Sequence, residues 1–351
     1  MSLVGYTIYK DGGRSAVVDF MDVGGVVECM VVRELRGKDG PSNRCRPEGA
    51  TVLPVPQFPE FRPVELEDSD FLDRLLEIEQ PSVSELTFAN IYLWRRTYDF
   101  HVAACGGGVL VKGTERDGSS FYLPPIAIDD KVDAARTLLT GENMADTMRR
   151  VPEDMAKALE EHGFATELDR DQSDYVYRSD KLINLSGRKL HRKKNHIAQF
   201  KSKYDYEYRR VTGDLIAQCE ELQTEWCDLR DCFVPENVSL AEEHEAIMEA
   251  LQLLDRLKLV AGAILIDGRV VSFSIGGQLN KETLVIHFEK ANPAYPGLYQ
   301  VINREFCADA AAEYRFVNRE QDLGEPGLRK AKESYYPDHM VNKYIISPPG
   351  L

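Results

Sequence analysis

The spacing of apolar and polar positions changes period several times along the chain, and each change marks an element. Between residues 6 and 35, Val17, Val18, Phe20, Val26, Val27, Val31 and Val32 recur in β-like alternation, broken by Gly12-Gly13 and Gly24-Gly25. That pattern predicts short strands and hairpins. Residues 37–63 are rich in Gly, Pro, Asn and Ser and read as a linker. Asp68 and Ser69 then open a helical run through Phe71, Leu72, Leu75, Leu76 and Ile78, with an N-cap signal at its start. Leu86, Phe88, Ile91 and Trp94 fit a second helix. Strands at 100–105 and 109–112 flank Gly106-Gly107-Gly108, which is read as a hairpin turn because it lies between strands and not before a helix. A strand at 121–128, a mostly helical stretch at 132–163 interrupted near Gly141 and Pro152, and a strand at 175–177 complete a first α/β unit.

Leu190, Ile197 and Tyr204 then recur every seven residues, and Phe200 joins their side. This predicts a helix with a narrow apolar stripe. A second unit repeats the plan: a strand at 207–211, helices at 216–226 and 240–254, and a strand at 259–266 that turns at Asp267-Gly268 into 270–276. A strand at 283–289, a turn through Pro293 and Pro296-Gly297, and a helix at 299–312 follow. The unit closes with a strand at 314–318, a short helix at 327–335 and a last strand at 341–346. The expected domains are a β-rich N-terminal appendage and linker (1–56), a first domain (57–185), and a basic connecting helix with a second domain (186–351).

A chain of 351 residues has length for two or three domains with cores of their own. Its 43% hydrophobic and 29% charged content is that of a globular protein. No apolar stretch approaches the roughly 18 residues that cross a bilayer, and no secretory leader pattern opens the sequence. Seven cysteines follow no framework spacing, so a reducing cytoplasm is the expected setting. Cys227 and Cys232 make a poor zinc pair and read as incidental thiols. None of the seven histidines falls in a triad-like context, and no Gly-x-Ser-x-Gly elbow is present, which argues against a hydrolase.

The net charge of −15 disfavours a general nucleic-acid binder. One segment departs from it. Residues 188–203 carry Arg188, Lys189, Arg192, Lys193, Lys194, Lys201 and Lys203 with no acidic residue. The segment is either a solvated linker helix or a docking site for an anion.

Three stretches carry a family resemblance: SELTFANIYLWR at 84–95, INLSGRKLHRKKNHIAQFKSKY at 183–204, and FEKANPAYPGLYQVINREF at 288–306 continuing through FVNREQDLGEPGLRKAKESYYPDHMVNKYI at 316–345. Together they resemble the bacterial family that shares the C-terminal domain of phosphatidylglycerol lysyltransferase, itself related to the Fem peptidyltransferases. The resemblance implies an α/β (α+β) fold of two tandem GNAT-like acyltransferase domains. It implies transfer of an aminoacyl group from an aminoacyl-tRNA-type donor to an amine or hydroxyl on a small-molecule, peptide or lipid-headgroup acceptor.

KESYYP is similar to that family's Lys-x-x-Phe-x-Pro pattern, which puts Lys332 at the oxyanion or a phosphate and Tyr335 beside it. Glu320 and Asp322 are the base candidates. Asn318, Arg319, Lys290, Tyr299 and Asn303 are candidate substrate-binding residues at strand ends and on the helix after Gly297, while Arg192, Lys193 and Lys194 would supply cationic docking. NPAYPGLYQ departs from the glycine-rich donor loop of coenzyme A enzymes, with one glycine and two prolines that donate no N–H. An acyl-CoA-dependent N-acyltransferase with an atypical donor loop, and a catalytically silent binding module, stand as alternatives.

Overall fold

The computed structural model describes residues 3–11, 14–23, 26–33, 53–141 and 145–348, with side chains from residue 53 onward. Strands β1 (Leu3–Asp11), β2 (Arg14–Val23) and β3 (Val26–Arg33) form an antiparallel meander. The expected linker lies largely outside the described residues.

The next stretch holds β4 (Arg62–Pro63), α1 (Ser69–Glu79), α2 (Phe88–Leu93), β5 (His101–Cys105), β6 (Gly108–Thr114) and β7 (Ser120–Tyr122). It continues through α3 (Lys131–Thr140), β8 (Thr147–Pro152), α4 (Glu153–Glu161), β9 (Ala165–Leu168) and β10 (Asp174–Arg178). After α5 (Ser179–Asn184) and α6 (His191–Lys203) come β11 (Glu207–Arg210), α7 (Asp214–Asp228), α8 (Val238–Gln252), β12 (Leu259–Ile266), β13 (Arg269–Asn280) and β14 (Thr283–Ala291). The remaining elements are α9 (Leu298–Ala310), β15 (Phe316–Asn318), α10 (Pro326–Glu333), β16 (His339–Val341) and β17 (Lys343–Ser347).

Local chemistry explains the clearest of these. Thr87 accepts a hydrogen bond from the Asn90 backbone N–H and caps α2. Asp267 and Gly268 both take positive φ (51° and 77°), the geometry of the two-residue hairpin that joins β12 to β13. Gly106 and Gly107 do the same between β5 and β6. Asp68 makes no side-chain cap on α1; its carboxylate pairs with Arg62 at 2.5 Å instead. Residues 147–152, expected inside a helical stretch, form β8.

The two larger sheets are not built from contiguous halves of the chain. The first runs β4-β5-β6-β7-β8-β17-β9 and the second β11-β12-β13-β14-β15-β10-β16. Thus β10, expected to end the first unit, sits between β15 and β16 in the second sheet, while β17, expected to end the second, sits between β8 and β9 in the first. The expected boundary at 185/186 therefore does not separate the sheets. Burial accounts for the exchange: Tyr175 and Tyr177 of β10 fill the core under α5, α6 and α9, and Ile346 of β17 fills the core under α3 and α4. A third apolar cluster joins both units, with Leu72, Phe88 and Ile91 of the first among Ile247, Leu251 and Phe273 of the second.

At the crossing point lies a buried charged cluster. Lys343 is fully buried, its Nζ 2.6 Å from Asp174 Oδ1 and 2.6 Å from Glu85 Oε2, and it also donates to Ser84 Oγ. Asp174, equally buried, accepts further bonds from the Ser84 N–H and from Asn318 Nδ2. The two exchanged strands and the loop before α2 are thereby tied at one point. Among the described residues no helix is long and apolar enough to cross a membrane. Cys227 and Cys232 are joined as a disulfide, contrary to the expectation of incidental thiols; α7 ends between them and the chain turns back through Asp231 (φ 52°), bringing their Cα atoms to 5.1 Å.

Candidate functional site

β14 and β15 are parallel neighbours for three residue pairs only, Thr283 with Phe316, Leu284 with Val317 and Val285 with Asn318. Beyond these, β14 continues along β13 to Ala291, while β15 stops at Asn318. The limbs diverge, and polar side chains collect in the opening. Asn318 shapes the second limb: its Oδ1 accepts the Glu320 backbone N–H at 2.7 Å, and Glu320 adopts φ 57°. Arg319 and Glu320 follow the end of the strand and reach separate sets of partners.

Arg319 lies on the α9 side. Its Nη2 donates to Glu289 Oε1 at 3.0 Å, and its guanidinium lies 4.9 Å from the Tyr335 ring and 5.8 Å from the Tyr177 ring. The other amino group, Nη1, is buried with no hydrogen-bond partner. Asn303 of α9 donates to Glu289 Oε2 at 3.0 Å, so it braces the same carboxylate. Lys193 turns inward from α6 and stands 4.2 Å over Tyr335. Burial, then the nearby positive charges of Arg319 and Arg192, lower its pKa to about 8. Two cations here share one carboxylate, and the excess positive charge suits an anionic or strongly polar group.

Glu320 lies on the side of the first unit. Its Oε1 accepts from His287 Nδ1 at 2.8 Å and from Asn90 Nδ2 of α2 at 3.3 Å. Lys332 sits below the loop and is almost wholly buried; its Nζ donates to the carbonyls of Arg319 and Gln321. Burial, with Arg319 nearby, lowers its pKa to about 8. Asp322 is fully buried and holds bonds from Arg329, Tyr175, Arg170 and the Gly324 N–H. Burial alone would raise its pKa, but the hydrogen bonds of Arg329 and Tyr175 hold it well below the usual carboxylate range. With two arginines, Tyr175 and a backbone N–H on its oxygens, Asp322 stands in a buried ion-pair cluster.

Residues 76–347 match the family described as phosphatidylglycerol lysyltransferase, C-terminal. The chain belongs to that family. A conserved protein of unknown function from Bacteroides thetaiotaomicron is 32% identical, with 82% of this chain and 98% of that chain covered and a TM-score of 0.76. L-PGS from Bacillus licheniformis is 12% identical, with 81% and 93% covered and a TM-score of 0.55, a likeness of fold. An uncharacterized protein of Mycoplasmoides gallisepticum (strain R(low / passage 15 / clone 2)) is 23% identical over 177 residues, 50% of this chain. The match spans 56% of that relative's length. The two sheets follow the tandem GNAT-like plan expected for the family.

Within this phosphatidylglycerol lysyltransferase C-terminal family member, the remaining candidates are dispersed. Lys290 faces the other way from Glu289: it pairs with Glu243 of α8 at 2.8 Å and covers Trp226 at 3.7 Å. Tyr299 is partly exposed at the start of α9, in the electrostatic neighbourhood of Glu289. Arg192 and Lys194 are exposed on α6, whose Ile197 and Phe200 are buried.

α6 packs against one side of the turn that leads into α9. A Cβ built on Gly297 would lie 3.0 Å from the His196 carbonyl oxygen and 3.6 Å from Phe200 Cβ. Sequence reasoning also missed His287, which does have a carboxylate partner. The signal for it is slight, a polar residue following the apolar run Leu284–Ile286. A cavity of about 760 Å³, lined by Glu79, Asp129, Asp130 and Asp154 among others, lies in the first unit away from the splayed strands.

Proposed function

We propose that the protein is an aminoacyltransferase that moves an aminoacyl group from an aminoacyl-tRNA-type ester to an amine or hydroxyl acceptor at the splay of β14 and β15. Family membership supports the reaction class. The observation that carries the site is Arg319, buried on aromatic rings with one amino group unpartnered and Lys193 beside it. Preorganised donors of this kind, in a low-dielectric pocket, stabilise charge that develops on an ester oxygen during acyl transfer. Lys332 keeps the loop of Arg319 and Glu320 in place through its carbonyl contacts, a positioning role in place of direct contact with the oxyanion. The exposed cations Arg192 and Lys194 of α6, with Arg188 and Lys189 just before it, are the groups offered to tRNA phosphates.

The alternative of an acyl-CoA donor loses support because the stretch before α9, NPAYPGLYQ, has one glycine and two prolines that donate no N–H. The test supplies tRNA charged with mixed radiolabelled amino acids, with a deproteinised cell extract as acceptor source. Label should leave the tRNA and enter extract components. Arg319→Lys should slow this by about 100-fold or more, the scale of losing one oxyanion donor. Wild-type protein that leaves every charged tRNA intact would refute the reading.

A further inference from the structure

His287 occupies the bulge of β14. Ile275 pairs with Phe288 and Gly276 with Ile286, so His287 has no register partner between them. Bulges re-aim side chains, and this one turns the imidazole across the splay to the opposite limb. Nδ1 lies 2.8 Å from Glu320 Oε1, and Asn90 Nδ2 steadies the same oxygen. A carboxylate only accepts, so Nδ1 carries the hydrogen and Nε2 of the neutral ring keeps its lone pair. The side chain is 3% exposed, and Nε2 has no hydrogen-bond partner. His287 also lines a cavity of about 350 Å³, shared with Leu86 and Phe88 of the first unit and Leu279 and Leu284 of the second. A histidine kept only for packing would be expected to pair both nitrogens, because an unpaired buried nitrogen opposes folding.

We propose that His287 Nε2 accepts the proton of the attacking acceptor, and that Glu320 is the positioning residue that holds the ring. The inference rests on the aminoacyl-transfer reading. The acceptor's nitrogen or oxygen forms a bond to the ester carbonyl carbon as its N–H or O–H proton passes to Nε2. The carbonyl oxygen takes the displaced π electrons, and their return expels the ribose oxygen. That oxygen receives the proton from the imidazolium, which restores the neutral ring. No external oxidant, reductant or further reactant is required. The Nδ1–H···Glu320 bond keeps Nε2 free throughout.

Three readouts on the full chain test it. His287→Asn retains a donor toward Glu320 and removes the proton acceptor; kcat should fall about 10²–10⁴-fold with KM little changed. His287→Ala should recover part of that loss when free imidazole is added. Diethyl pyrocarbonate, followed by mass spectrometry, should modify His287 in the folded wild-type protein, with the exposed His162, His191 and His339 as internal standards. For Glu320, ¹⁵N-imidazole spectra should show a single Nδ1–H tautomer that becomes mixed in Glu320→Gln.

A His287→Asn variant that transfers at the wild-type rate overturns the proposal and leaves aminoacyl transfer standing. If wild-type protein transfers nothing, that reading falls, and the reagent decides the histidine separately: an unmodified His287 in the folded chain overturns its role, while modification supports it. If His287→Asn does not fold, Glu320→Gln carries the kinetic test, and an unchanged kcat there removes the positioning role.

Discussion

Replacing Lys343 with methionine removes a charge and keeps nearly the same volume, so the effect isolates the electrostatics of the strand crossing. The ammonium has no solvent contact, and both carboxylates that face it lie at 2.6 Å. Asp174 would keep its bonds from Ser84 and Asn318, but the two buried carboxylates would lose their shared counter-charge. Breaking a buried pair from one side costs about 3–5 kcal/mol, and this cluster meets the conditions for that range.

Urea unfolding gives a direct assay, because Trp94 belongs to the first unit and Trp226 to the second. Single-tryptophan versions (Trp226→Phe and Trp94→Phe) report each unit in turn. Both midpoints should move down together in Lys343→Met with little change in slope. Burial also raises the Glu85 pKa, with Lys343 opposing the rise. A group whose folded value lies above its unfolded value stabilises most at low pH, and the contribution fades as pH rises through the folded value. The Lys343→Met penalty should therefore shrink toward acid. A loss below about 1 kcal/mol, or a shift confined to one tryptophan, would refute the idea that this lysine fastens the exchanged strands.

Neutralising Arg192 and Lys194 together should reduce the log–log salt slope of tRNA binding by about two, measured by filter binding across a salt series. Lys193 should titrate near 8 by NMR of ¹³C-methylated lysines, and pyrophosphate binding at the splay should weaken as pH rises through that value. Asp322→Asn should destabilise the chain by about 1–3 kcal/mol in chemical denaturation, because Arg329 and Arg170 lose their buried anion. The wild-type contribution of Asp322 is present above the unfolded carboxylate value and is lost as pH falls toward its depressed folded value. Acid unfolding of Asp322→Asn should consequently be the less steep of the two.

Where information was local, the sequence carried it. Leu190, Ile197 and Phe200 face the core as their spacing predicts, and Asp267-Gly268 turns a hairpin because few other dipeptides take two positive φ values without strain. Period reading failed at Thr147–Pro152, where Arg149 and Arg150 interrupt the alternation and Arg150 itself takes φ 59°. The strand character of β10 and β17 was legible, but their sheets were not, since alternation says which face is buried and nothing about the neighbour.

The site divided along the same line. Lys332 was named from a motif and Arg319 and Glu320 from their place at a strand end, and the structure joins them where Lys332 Nζ donates to the Arg319 carbonyl. Their partners were hidden because each comes from a distant segment: Glu289 and Asn303 for Arg319, His287 and Asn90 for Glu320. Lys290 and Asp322 carry suitable chemistry, but alternation and a pair of arginines direct them to other work.

The exchange of β10 and β17 bears on how the molecule is made. During synthesis β8 and β9 emerge long before β17, the strand that separates them in the finished sheet. Until residues 343–347 leave the ribosome, each of the two presents an unfilled backbone edge that any extended segment could occupy. Translation that stops shortly before those residues would leave an adhesive intermediate and not a smaller stable protein, so assembly of this sheet has to wait for residues 343–347.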